Sequence, residues 1–144
     1  MVCDVRLVLD TDVIVAAMRS PSGASAAILR YVREGQASLL VSVPLAIEYE
    51  ASCQRAEHRY AASLTERQVD GFLKAVIAMA EPVVTHFLWR PQLRDVSDEM
   101  VLEVAVNGHA DALITFNVRD YADVPSRFGV ELLRPREAIR RIKQ

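Results

Sequence analysis

Apolar strand-length runs alternating with helical segments predict an α/β protein, with a central, mainly parallel sheet of about four or five strands flanked by helices in three layers. Two further observations support this. The 144 residues are 51% hydrophobic, enough for one core and too few for two ordinary domains, so residues 1–144 are expected to form a single domain. Internal repeats, low-complexity runs and linkers are absent from the sequence.

Residues 6–10 read as a buried strand, and TDVIVAAMRS enters a helical turn before the Pro21-Ser22-Gly23 break. ASAAILRYVREG places apolar residues at 27, 28, 31 and 32 and stops on Gly35, as a helix does. SLLVS, 38–42, is a second strand, and Pro44 suits the first turn of a helix through LAIEYEASCQR. The polar stretch from His58 to Leu64 is expected to bend. Thr65 then caps a helix with Gln68 three residues on, running to about Ala80 with Phe72, Val76, Ile77 and Ala80 on one face. EPVVTHF is expected as strand three and LWRPQLRDV as a loop. Ser97 caps a helix over DEMVLEVAVNG that closes at Gly108, and ADALITF forms a fourth strand. A loop over 117–129, a short strand in VELLRP and a terminal helix opened by Pro135 complete the reading.

A net charge of −2 argues against a protein that coats nucleic acid by bulk attraction but permits local basic patches. The last eleven residues, RPREAIRRIKQ, hold five cations and the single acid Glu137, a basic tail on an acidic body. That tail can neutralise phosphates, dock against an acidic partner or balance its own helix dipole. Cys3 and Cys53 form no CxxC pair and are expected as reduced residues. No apolar run approaches a membrane span, and the amino terminus lacks a targeting pattern, so a soluble cytoplasmic protein is expected.

The acids carry the chemistry. Asp10 follows strand one, Asn117 and Asp120 follow strand four, Asp98 starts the helix before strand four, and Glu48 lies one turn inside the helix after strand two. All fall at the carboxyl rim of a parallel sheet, where α/β proteins bind ligands. Carboxylates gathered there repel, and a divalent cation relieves the repulsion. An all-oxygen set without paired His or Cys selects Mg²⁺ or Mn²⁺, which polarises a phosphoryl oxygen and supplies hydroxide for phosphodiester hydrolysis. Asp98, beside a helix amino terminus, is expected to stay ionised. Glu50 lies on the other side of the helix from Glu48, and Asp95 falls in the loop before Asp98, as a solvated or supporting group. Thr115 either orients a ligand or packs at the strand end. Asp111, at the opposite end of strand four, reads as structural; His58, His86 and His109 share no ligand spacing; and Trp89 with Phe87 and Leu88 reads as core or as a partner patch.

Four stretches, LVLDTDVIVAA, SVPLAIEYE, RDVSDEMVLEVAVNGHADALITFNVRDY and VELLRPREAI, occur in an order that resembles PIN domains (PilT amino-terminal), particularly the toxin-like branch related to VapC ribonucleases. The resemblance implies a metal-dependent ribonuclease, commonly paired with a small antitoxin and often dimeric. It assigns metal binding and catalysis to Asp10, Glu48, Asp98 and Asn117, with Asp120 as a possible substitute ligand. In two places the sequence departs from the pattern: Asp12 stands where relatives usually carry Asn, and Asn117 where many carry Asp. The same residues leave two rivals: a PIN scaffold that binds RNA or antitoxin without cutting, and, from DTDV, a haloacid-dehalogenase-like phosphatase with Thr115 on phosphate.

Overall fold

The structure, a computed structural model, describes residues 4–85 and 92–144. The first apolar run forms β1 (Val5–Leu9), after which Asp10 caps α1 (Thr11–Arg19) by accepting the Thr11 N–H at 2.8 Å. Gly23 precedes α2 (Ala24–Arg33), and Gly35, with φ of 79°, turns the chain towards β2 (Ala37–Val41). Ser42 caps α3 (Val43–Cys53), accepting the Leu45 N–H at 3.2 Å, with Pro44 in the first turn as expected.

The bend expected from His58 to Leu64 is instead α4 (Ala56–Ala62), which buries no residue and ends on Ser63 at φ 58°. Its alanines favour a helix, but without a buried face it leaves no apolar period to read. The expected capping box at Thr65 and Gln68 opens α5 (Glu66–Ala78). The buried face of α5 is Val69, Leu73 and Val76; Phe72 is half-buried, Ile77 is exposed, and Ala80 begins β3 (Ala80–Pro82). The strand is shorter than EPVVTHF, although the Val83 N–H still bonds to the Val41 carbonyl at 2.9 Å. His86, Phe87, Leu88 and Trp89 lie outside the described residues.

Asp95, not Ser97, caps α6 (Val96–Asn107), accepting the Ser97 N–H at 2.8 Å. Both residue types cap well, and the first of the two takes the position. After β4 (Ala112–Ile114), the expected loop contains two single turns, α7 (Val118–Tyr121) and α8 (Val124–Arg127), before β5 (Glu131–Leu133) and α9 (Pro135–Lys143).

The sheet order is β3-β2-β1-β4-β5 and every pairing is parallel. The α2 and α9 helices pack together and against the sheet, α6 packs on β1, β2 and β4, and α3 joins α5 and α6. The core centres on Leu7, Leu9, Leu39, Leu113 and Ile114, all with no exposed surface. Asp111 is structural as expected: its Oδ2 accepts the Arg6 N–H at 2.8 Å at the amino edge of the sheet. No described helix is long and apolar enough to cross a membrane.

Gly108 ends α6 where the sequence places it, but close packing rather than backbone freedom requires it. A Cβ there would lie 2.9 Å from Val83 Cγ2 and 3.0 Å from Leu40 Cδ1. Gly108→Ala is expected to cost about 1–3 kcal/mol and lower the melting temperature by roughly 3–10 °C. An unchanged melting curve would mean that the packing beneath α6 yields freely.

Candidate active site

The strand order reverses between β1 and β4, which opens a crevice beyond their carboxyl ends. The last register pair is Leu9 with Ile114, so the next residues, Asp10 and Thr115, are neighbours across the crevice. The Asp10 N–H bonds to the Ile114 carbonyl at 2.9 Å. Thr115, fully buried, donates its hydroxyl to Asp10 Oδ2 at 2.8 Å and accepts the Asn117 N–H at 2.9 Å. These contacts orient the acid itself, a role beyond the two expected of Thr115, ligand orientation and packing at the strand end. Tyr49, also fully buried, donates its hydroxyl to the Leu9 carbonyl and ties α3 to the strand end that carries Asp10.

Two groups of side chains flank Asp10. On one side, Asp12 Oδ2 accepts from the Phe116 N–H at 3.0 Å and from Asn117 Nδ2 at 3.2 Å. The departures at 12 and 117 therefore meet as a bonded pair, and the Asn117 amide is engaged by Asp12. Among the described residues, Asp12 Oδ1 and Thr11 Oγ1 are buried with no hydrogen-bond partner. On the other side, Asp95, Asp98, Asp120 and Tyr121 line a cleft of about 470 Å³ together with Arg94 and Arg119. Glu48 approaches this side, its Oε1 3.4 Å from Ser97 Oγ and 3.5 Å from Ser52 Oγ, while Glu50 is exposed.

Sequence reasoning missed Tyr121 and Glu99. The Tyr121 hydroxyl donates to Asp98 Oδ1 at 3.3 Å and also bonds to Asp10, so this fully buried phenol links the two acids. An aromatic at the end of NVRDY reads as core, and only the tertiary fold shows where its hydroxyl lands. Glu99 accepts the Gln92 N–H at 2.7 Å and the Leu93 N–H at 3.2 Å, fixing the chain just before α6. Its sequence signal was its place next to Asp98.

Burial raises the Asp10 carboxyl above the usual range against the hydrogen bonds from Thr115, Thr11 and Tyr121. Burial and then the Asp10 charge push Asp12 up to about 6. Asp98 is also pushed up to about 6, by burial and then by Asp10, Asp95 and Asp120. Burial and the three neighbouring acids thus outweigh the helix dipole, yet a value of about 6 leaves Asp98 mainly ionised at neutral pH. Among the described residues, no three His, Cys, Asp or Glu side chains stand as an ion-enclosing group. Cys53 is a free, buried thiol pushed up to about 12, and Cys3 lies outside the described residues.

These raised values set the sign of a pH effect. The folded protein binds protons at Asp12 and Asp98 more tightly than the unfolded chain, so metal-free stability falls as pH rises from about 4 through about 6 and stays low above. The melting temperature in EDTA is expected to rise by roughly 3–6 °C between pH 7.5 and pH 5. A fall over that interval would contradict the electrostatic account.

No curated protein sequence matches the chain. Among solved structures, a chain of VapBC2 from Rickettsia felis, crystallised bound to a DNA fragment from the VapBC2 promoter, matches with a TM-score of 0.61. It is 13% identical, and the match covers 90% of this chain and 98% of that one, so the likeness is one of fold. The PIN domain family model matches residues 6–119, most of the sequence, including Asp10, Asp12, Glu48, Asp95 and Asp98. The chain belongs to the PIN domain family.

Proposed function

We propose that the protein is a metal-dependent endoribonuclease, the toxin of a toxin-antitoxin pair. The carrying observation is the gathering of Asp10, Asp12 and Asp98 at the sheet crevice, where burial first and neighbouring acids second hold each carboxyl above its usual range, and where Asp12 Oδ1 is buried with no hydrogen-bond partner among the described residues. The donor set is all oxygen and suits a hard ion. Mg²⁺ typically takes one or two carboxylates and completes its shell with waters and phosphate, so a closed cage of protein ligands is unnecessary.

Asp10 and Asp98 would hold Mg²⁺ or Mn²⁺, with Glu48 beside them and Asp12, paired to Asn117, on the opposite flank. Asp120 and Asp95 would add negative field from the cleft rim. The bound ion supplies a polarised phosphoryl oxygen and an acidified water. Thr115 and Tyr121 hold Asp10 in place by hydrogen bonds, and Asp10 caps α1 through its other oxygen. An apolar cleft of about 370 Å³, lined by Val43, Ile77 and Val84, offers a surface for the antitoxin or homodimer contact that VapC resemblance suggests.

The phosphatase rival loses its support, because Lys74 pairs with Asp70 at 3.0 Å on α5 and neither lysine lines the clefts beside the acids. The non-cutting scaffold keeps one observation in its favour, the engagement of the Asn117 amide by Asp12. Incubation of purified, antitoxin-free protein with a mixed RNA pool in Mg²⁺, Mn²⁺ or EDTA separates the readings. Metal-dependent RNA cutting, with no phosphate released from p-nitrophenyl phosphate, is expected. A folded protein that binds RNA and cuts it in neither metal would establish the scaffold.

A further inference from the structure

Beyond the carboxylates, a cleft of about 520 Å³ begins at Thr11 and Asp12 and passes Arg19, Arg55 and His58. A second cleft, of about 610 Å³, continues past Arg134, Arg136 and Arg140. The two share Ala16, Ser20 and Phe116, so they form one groove along the outer side of α1. Five arginines line the groove. Arg6, Arg59, Arg127 and Arg141 each pair with an acid. Among the described residues, the guanidinium groups of Arg19, Arg55, Arg134, Arg136 and Arg140 form no ion pair, although Glu137 also lines the groove and accepts the Arg134 backbone N–H at 2.9 Å, and the Arg19 side chain meets the His58 ring at 3.3 Å. Phe116 stands at the junction, 47% exposed, while its N–H bonds to Asp12 at 3.0 Å.

We propose that this groove is the track for a single-stranded RNA segment flanking the cleaved phosphate, with Arg19 and Arg55 on successive phosphates and Phe116 stacked on a base. The inference rests on the nuclease reading of the carboxylates and names what that reading leaves open, the side from which the strand approaches. Unpaired guanidinium groups are suited to bidentate phosphate contacts. An exposed ring offers a platform to an unstacked base, which a duplex does not present. The groove ends on Asp12, which shares the Thr115 hydroxyl with Asp10, so a strand lying in it brings a phosphate to the flank of the ion-holding acids. Arg134, Arg136 and Arg140, with Glu137 among them, extend the groove wall away from the reacting position.

The test is anisotropy of a labelled, mixed-sequence single-stranded RNA with the intact protein in Ca²⁺, across a salt series, alongside cleavage of the same RNA in Mg²⁺. Arg19→Gln and Arg55→Gln are each expected to weaken binding about 5-fold or more and to reduce the slope of log affinity against log salt by about 0.7. Phe116→Ala is expected to weaken binding about 5-fold or more at an unchanged slope. Arg33→Gln, on an exposed residue at the far end of α2, is the control and should change neither. If the wild type cuts RNA while all three groove variants bind as it does, the track is overturned and the nuclease reading stands. If binding depends on the groove but no metal supports cutting, the track stands and the nuclease reading falls. A wild type that neither binds nor cuts overturns both, including where the groove variants lose an acidic protein partner instead.

Discussion

Asp10→Asn is expected to fold normally and to cut RNA at least about a thousandfold more slowly than the wild type. A metal-held carboxylate contributes several kcal/mol of transition-state stabilisation, and each ~1.4 kcal/mol is tenfold in rate. The substitution separates chemistry from folding because the Asn oxygen can still accept the Thr11 N–H that caps α1. Burial already disfavours charge at this position, so in EDTA the variant should melt at or above the wild-type temperature. Single-turnover cleavage in saturating Mg²⁺, with melting curves in EDTA, checks both halves. Retained cleavage would show that another acid carries the ion.

Thr115→Val is expected to give the second largest effect. The isosteric change removes the hydroxyl that donates to Asp10 Oδ2 and leaves the Asn117 N–H without its acceptor. Unsatisfied groups of this kind cost about 1–3 kcal/mol each. With that donor gone, the Asp10 carboxyl rises further, and metal must compete harder with the proton. Metal affinity should fall about 10- to 100-fold, with a larger deficit at pH 6 than at pH 8. Thr115→Ser, which keeps the hydroxyl, should restore most of the loss. An equal deficit in the Ser variant would point to packing at the strand end rather than orientation of the acid.

The parts of this site that are legible in the sequence are those that local pattern dictates. An apolar triplet followed by Asp10 places an acid at a strand end, and Pro44 and Ser42 set the phase of α3, which turns Glu48 towards Ser97 and leaves Glu50 exposed. Contacts made across the fold were not legible. Tyr121 and Asp98 are far apart in sequence, and nothing in NVRDY announces that its phenol will reach two acids. The α4, α7 and α8 helices escaped for another reason: the first buries no face, and the other two are single turns shorter than one amphipathic repeat. The upward shift of Asp98 was not legible because a helix amino terminus is visible in sequence while its burial and the clustering of Asp10, Asp95 and Asp120 around it are not.

The central claim is that the crevice acids bind a divalent ion, and Mn²⁺ titration followed by electron paramagnetic resonance tests it without relying on turnover. Wild-type protein at neutral pH should take up Mn²⁺, be displaced from it by Mg²⁺, and lose that uptake in Asp10→Asn and in Asp98→Asn, with both variants folded. Uptake that is unchanged in both variants, or absent from the folded wild type, would contradict the account.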